Sequence, residues 1–375
     1  MRPARPAVRL MARTLLGVLA LFAGALALPT TANAAATLTI WVSPSGNDAA
    51  DGRSPATPFA TLQHASDWLC GSTTSCQGRG QPVEVRIAQT VIPVTSTITW
   101  RYFDANYSTT LEPWSLQPGQ GWTQLAQTGG LPTFDGRFKM DFGMMVVPAG
   151  AGSASIRLNF TYLRWQHFNR SAIEIHGGLT QKVTDNGITV SWPTADAANG
   201  VSFYGCYFFQ IGNAWHPDHL MGWGAVDVYN SSGDRFVNNH FVQLLNAQPS
   251  DAGHLHGLYL MHHSSHALVQ ANEFTDITGD VVRQRDLSEF TVVTGNRFTR
   301  AGQFGYVDDW YCRPNIRDSV CFPKEYRSWG GRFYGNTLNG LYPETARGRT
   351  TAFCFDLVAA CPANRWDISE PAGAG

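Results

Sequence analysis

Four of the chain's eleven histidines fall within HLHGLYLMHH, residues 254–263. Imidazoles titrate near neutrality and ligate metals, so such a cluster fits acid–base catalysis, a metal centre or a polar strand face. Alternation puts Leu258 and Leu260 on one side of the segment and Tyr259 and Met261 on the other. The following VVRQR (281–285) places Val282 and Gln284 with the leucines and Arg283 and Arg285 opposite. Upstream, AVDVY (225–229) turns Asp227 and Tyr229 outward, and AIEIH (172–176) turns Glu174 and His176 outward. Stacked in order, one outward column reads Glu174, Asp227, Tyr259, Arg283. Its neighbour reads His176, Tyr229, Met261, Arg285, with His256 beside Asp280 of the next segment. Gln284 is a misfit in this register. A slip of one residue would instead bury both arginines, which costs far more than burying one amide.

These types suggest specific chemistry. His256, Tyr259 and Arg283 are the candidate catalytic groups: His256 or Arg283 as base, the imidazole being the easier since a guanidinium holds its proton to above about pH 12, and the Tyr259 phenol as acid. Glu174 and Asp227 are hard oxygen ligands suited to calcium. Arg285, His254, Trp223, Tyr229, Trp310, Asp308 and Asp309 are candidate substrate contacts. Trp215, Trp310 and Tyr311 are further flat aromatics in nearby loops. A zinc site at His254 and His256 lacks a third ligand of evident placement. The loop HPDH (216–219) has ligand-type residues but no assignable role.

The elements that must position these residues emerge from a repeat. FVNNHFVQL, LVQANEFTDI, VVTGNRFTRA and FYGNTLNGL each hold Asn, one residue, then Phe or Leu: Asn239/Phe241, Asn272/Phe274, Asn296/Phe298 and Asn336/Leu338. YGCYFFQIG fits with Cys206 in the Asn place. With short alternating strands, 37 glycines and little helical periodicity, this pattern predicts an all-β solenoid of stacked parallel strands. The Asn column should form a side-chain ladder in a turn, with the Phe column stacked inside. Thr61 is placed to N-cap a helix whose Leu62, Ala65 and Leu69 share a face.

WVSPSGNDAADGRSPATPFATLQHASDWL (41–69) resembles the opening signature of the pectate-lyase-like right-handed parallel β-helix superfamily, and LPTFDGRF (131–138) resembles a stretch that precedes its regular coils. The resemblance implies a right-handed, single-stranded parallel β-helix with an N-terminal capping helix, and an active site along an outer sheet face walled by loops. The expected organisation is a signal peptide over 1–34 and a β-helix domain over 35–366. Within the domain, a cap spans 38–70, regular coils about 150–342 and a disulfide-closed tail 343–366, with a disordered end at 367–375. GNDAADG offers Asp48 and Asp51 to calcium, or is a plain Asx–Gly turn.

Arg2, Arg5, Arg9 and Arg13 precede an apolar run, and Ala32 and Ala34 form a cleavage pattern, which predicts a secreted chain cut near Ala34. The expected protein is extracellular and free of the membrane after cleavage. The whole chain carries 27 basic and 28 acidic residues, and loss of those four arginines leaves a net charge of −5. That charge argues against a nucleic-acid partner. Seven cysteines in a secreted chain suggest disulfides Cys70–Cys76, Cys312–Cys321 and Cys354–Cys361, leaving Cys206 as a buried thiol.

The leading expectation is a monomeric polysaccharide lyase that cleaves a uronic-acid glycan by β-elimination, with calcium as its one suggested cofactor. A glycoside hydrolase using Asp308 and Asp309 is the first alternative. The Asn-Thr-Asp, Asp-Asp, Gly-His-Gly, Arg-x-Lys order of hydrolases with this fold is not reproduced, since GHLHG precedes VDD and no Arg-x-Lys follows them. A non-catalytic glycan-binding or surface β-helix is the second alternative.

Overall fold

The computed structural model describes residues 35–71, 76, 78–117, 119–121, 130–148, 150–152, 154–184, 189–248, 250–303, 305–311, 323–343 and 366–367. Residues 1–34, where a signal peptide was expected, both downstream cysteine pairs and most of the tail lie outside the described residues. Of the three expected disulfides, Cys70–Cys76 falls within them and is formed, and Cys206 is a buried free thiol. Among the described residues, no helix is long and apolar enough to cross a membrane.

The chain is all-β, built on long parallel sheets. One column of strands runs Leu38–Val42, Val83–Ile87, Thr109–Pro113, Leu158–Thr161, Ser202–Tyr204, Arg235–Val237, Leu268–Gln270, Val292–Thr294 and Arg332–Tyr334, each paired in parallel with the next. A second runs Tyr207–Ile211, His240–Leu244, Glu273–Ile277, Arg297–Ala301 and Thr337–Asn339. A third runs Gly224–Tyr229, His256–Met261, Val282–Arg285 and Val307–Asp309. The long strands Thr133–Val146 and Arg164–His176 pass from the second column into the third, joining them as one sheet. Coil stacking therefore starts with the strands from Leu38 and Val83, well before residue 150, where the regular coils were expected to begin. Those early coils lack the Asn-x-Phe signature.

Turn chemistry sets the register. The Cys206 N–H donates to Asn239 Oδ1 at 2.8 Å, that of Asn239 to Asn272 Oδ1 at 2.8 Å, that of Asn272 to Asn296 Oδ1 at 2.9 Å, and that of Asn296 to Asn336 Oδ1 at 2.8 Å. Phe134, Trp165, Phe208, Phe241, Phe274 and Phe298 stand in successive register inside, all at most 1% exposed. Burying each such ring contributes about 1.5–3 kcal/mol. A second ladder crosses another corner: Ser231 N–H donates to Ser264 Oγ, Ser264 N–H to Ser288 Oγ and Ser288 N–H to Ser328 Oγ. Its members repeat at the same intervals as the Asn ladder, a signal that was legible in the sequence but not read there.

The helix Leu62–Cys70 has Thr61 as N-cap, its hydroxyl accepting from the His64 N–H, and buries Leu62, Ala65 and Leu69. Gln63 and Ser66 tie it to Thr99 and Arg101 of the first coil. Asp48 accepts from the N–H groups of Ala60 and Thr61, and Asp51 from those of Arg53 and the Thr57 hydroxyl, so the GNDAADG carboxylates serve the turn.

Candidate functional site

The outer face of the third column carries the expected file in register. Glu174 pairs with Asp227, Asp227 with Tyr259, Tyr259 with Arg283, and Arg283 with Asp308. Beside it, His176, Tyr229, Met261 and Arg285 align in the same way. Gln284 is fully buried opposite Leu260, as the register required, and its amide donates to the Ser288 carbonyl.

His256 opens the strand His256–Met261, opposite Gly224. Simple alternation from Leu258 would aim it at the core, yet its ring lies 5.0 Å from the outward Tyr259 ring. The cause is a bulge. The N–H groups of Gly257 and Leu258 both donate to the Val281 carbonyl. A Cβ on Gly257 would sit 3.0 Å from the Phe274 ring, so residues 257 and 258 both face inward and the parity reverses.

His256 is 0% exposed. Its Nδ1 lies 2.6 Å from the Asp280 carbonyl, which holds the proton there, and its Nε2 has no hydrogen-bond partner. Burial, then the charge of Arg283, pushes the imidazole well below its ordinary pKa. Burial and Arg283 also lower His254, whose ring packs edge-on against Trp223 at 5.4 Å.

Arg283 donates to Asp308 Oδ2 at 2.6 Å and to Asp280 Oδ2 at 3.4 Å, while its Nε has no partner. Burial works against its charge, but Asp308 and Asp280 outweigh that effect and raise its pKa. Arg285 is more fully committed. It reaches both oxygens of Glu325 at 2.8 and 2.9 Å, donates to the Tyr259 hydroxyl at 2.7 Å and stacks over Trp310 at 4.6 Å. Its expected role as a substrate contact gives way to that of a brace for Tyr259, because a chelated guanidinium has little donor capacity left. Burial raises the Tyr259 phenol while both arginines pull it down. Glu325, at 1% exposed, was missed in the sequence because it comes from a loop 40 residues after Arg285.

Asp227 is 1% exposed, and apart from an interaction with the nearby Ser171 hydroxyl neither carboxylate oxygen has a hydrogen-bond partner. Burial first, and the neighbouring Glu174 second, raise its pKa well above the carboxylate range. Gly224 makes room for it: a Cβ there would lie 2.4 Å from Asp227 Oδ1. Glu174 Oε2 lies 3.1 Å from His176 Nε2, and the His176 ring stacks on Tyr229 at 4.6 Å. Burial and the nearby acids raise the Tyr229 phenol.

Asp308 and Asp309 do not form a working pair. Adjacent strand residues face opposite sides. Asp308 joins Arg283 outside, whereas Asp309 lies opposite Gln284 and accepts from the Ser328 N–H at 3.1 Å. Burial pushes Asp309 up to about 7. Asp309 therefore leaves the set of substrate contacts, and the Asp308/Asp309 pair cannot flank one glycosidic bond. Trp223 lies 6.4 Å from Tyr259, and Trp310 is 38% exposed at the rim. Trp215 packs on Phe138 instead, with ring centroids 5.5 Å apart. The hairpin Leu179–Val183/Thr189–Pro193 brings an unforeseen aromatic, Trp192, to 5.6 Å from His263.

No family model matches the chain, and no curated protein matches it. Solved structures similar to it include a rhamnogalacturonan lyase, with TM-score 0.34, 12% identity, 81% of this chain and 62% of that one covered. A pectate lyase aligns with TM-score 0.39 and 11% identity over 84% of this chain and 80% of its own. A lacto-N-biosidase from Eubacterium ramulus aligns with TM-score 0.27 and 10% identity over 80% of this chain and 67% of its own. The chain thus spans under two thirds of the rhamnogalacturonan lyase.

Proposed function

We propose that the protein is a carbohydrate-active enzyme that cleaves a uronic-acid polysaccharide by β-elimination at the outer face of the third column. One observation carries this reading. Asp227 Oδ1 and Oδ2, His256 Nε2, His254 Nδ1 and Arg283 Nε are all buried atoms without hydrogen-bond partners apart from the Ser171 interaction of Asp227, and strand register and charge coupling bring these four residues together. Unpaired buried polar groups are costly, so their concentration fits a ligand that supplies the partners. The Asp227 carboxyl, the two imidazole nitrogens and the cationic Arg283 donor match a ligand bearing hydroxyls and a carboxylate.

In this mechanism Arg283 draws charge from the substrate carboxylate and so acidifies the adjacent carbon. His256 Nε2 takes the proton from that carbon. The freed electron pair forms the new double bond as the carbon–oxygen bond to the leaving sugar breaks. The Tyr259 hydroxyl gives its proton to the departing oxygen, and a proton passing from His256 to Tyr259 resets the site. Asp227 and Glu174 supply oxygen ligands suited to calcium, with two carboxylates contributing part of the six to eight oxygens the ion takes. Calcium bound there would offset substrate charge.

A hydrolytic reading now rests on Asp227 and Glu174, one strand apart at about 4.8 Å, with Asp227 held protonated as the acid. Incubation with acidic and neutral polysaccharides, with and without calcium, separates the readings. Ultraviolet-absorbing unsaturated uronate ends are expected. New reducing ends without that absorbance would replace the lyase by a hydrolase, and binding without product would leave a glycan-binding β-helix.

A further inference from the structure

The HPDH loop lies outside the machinery described above. It follows the short turn Asn213–Trp215 and leads into Trp223. Potential ligand atoms of His216, Asp218 and His219 all lie within 4.8 Å of one another. A tight turn produces this convergence: the His219 N–H donates to the His216 carbonyl at 3.0 Å, bringing positions i and i+3 together. The two imidazoles stand nearly perpendicular, 82° apart, with centroids 5.6 Å apart.

The loop is anchored from beneath. Asn213, 3% exposed, donates to the His219 carbonyl at 2.8 Å and accepts from the Ala247 N–H at 2.9 Å. The three side chains are thus held on a preformed scaffold, which reduces the ordering cost of binding.

What lies behind His219 adds a second, independent sign. Asp141 Oδ1 is 3.4 Å from His219 Nδ1, is shielded from solvent and has no hydrogen-bond donor. Asn169, fully buried, brings its Nδ2 to 3.2 Å from the same Nδ1 and leaves its Oδ1 without a partner. A carboxylate behind a histidine helps to orient the ring, the arrangement that supports metal-bound imidazoles.

We infer that His216, Asp218 and His219 form a binding site for one divalent transition-metal ion of the zinc type, backed by Asp141. Two imidazoles and a carboxylate suit such an ion, whereas calcium and magnesium favour all-oxygen shells. Water would complete the shell on the solvent side, where Asp218 is exposed. The site is separate from the Glu174/Asp227 pair and does not depend on the proposed reaction. It bears on the site wall through the chain: the Trp223 carbonyl accepts from the His256 N–H at 2.9 Å. A metal that closes this loop would fix the segment leading to Trp223.

The test uses the full secreted chain, stripped with chelator, loaded with zinc and dialysed, with metal content measured per folded molecule. One equivalent of zinc, a visible band on cobalt substitution and a raised melting temperature are expected. His216→Ala, His219→Ala and Asp218→Asn should each lose retention, while His262→Ala, altering another His/Asp/Glu group, should keep it. No retained zinc in the wild type would overturn the assignment, as would equal retention in His216→Ala and His219→Ala. If His219→Ala fails to fold, equal retention in His216→Ala and Asp218→Asn overturns it.

Discussion

His256 and Tyr259 lie three positions apart on one strand, yet their rings share its outer face with centroids 5.0 Å apart. The doubled inward step at Gly257 and Leu258 makes this possible. If the two groups are base and acid, His256→Ala and Tyr259→Phe should each lower turnover at least about a hundredfold, the scale of a transition-state contact worth about 2.7 kcal/mol. The double variant should lose less than the product of the single losses. Steady-state kinetics on the glycan found by screening checks both; wild-type turnover in either variant removes that residue from the mechanism.

Arg283 points outward but is 8% exposed, held between Asp308 and Asp280. Arg283→Ala should therefore cost stability as well as activity, about 3 kcal/mol or more, because the buried Asp280 and the half-buried Asp308 lose their counter-charge. Arg283→Lys should keep more stability than Arg283→Ala but lose activity, since a point charge does not replace the guanidinium fork. Urea titration and kinetics on the same preparations separate the two losses. Full activity in Arg283→Lys would show that the fork is not needed.

The pH profile follows from His256. A base works in its neutral form, and burial holds this imidazole neutral to unusually low pH. Lowering the pKa of a group that must be deprotonated extends activity downward. The acid limb of kcat/KM should thus fall below the ordinary imidazole value of about 6.5. A limb at or above that value would indicate a different base.

Asn272 donates its amide to Phe236 O and to Asn296 Oδ1 and accepts from the Asn239 N–H. Replacing it by alanine orphans buried backbone groups, and a loss of about 1–3 kcal/mol in chemical denaturation is expected. Turnover per folded molecule should stay at the wild-type level; a stable but inactive variant would place Asn272 in the site.

Cys206 stands in the Asn column, and burial pushes its thiol up to about 12. Alkylation of the native protein should leave it unlabelled, and alkylation after non-reducing unfolding should label this cysteine alone. Three labelled cysteines would break the pairing expected for Cys312–Cys321 or Cys354–Cys361.

The sequence by itself determined the coil and the file on its outer face. Asn at one turn and Phe two residues on repeat because each amide must satisfy the next coil's backbone and each ring must stack on its neighbour. Alternation then set Asp227, Tyr259 and Arg283 in line, because side chains on a strand take only two directions. Tertiary structure decided everything that depends on which distant groups meet. Gly257 absorbs a bulge only because Val281 of the next coil offers a carbonyl to two N–H groups, and that step turns His256 outward. Glu325 claims Arg285, and Ser328 fixes the inward Asp309, across 40 and 19 residues. Periodicity records the local alternation of a strand, whereas such partnerships arise only when loops fold back over the sheet.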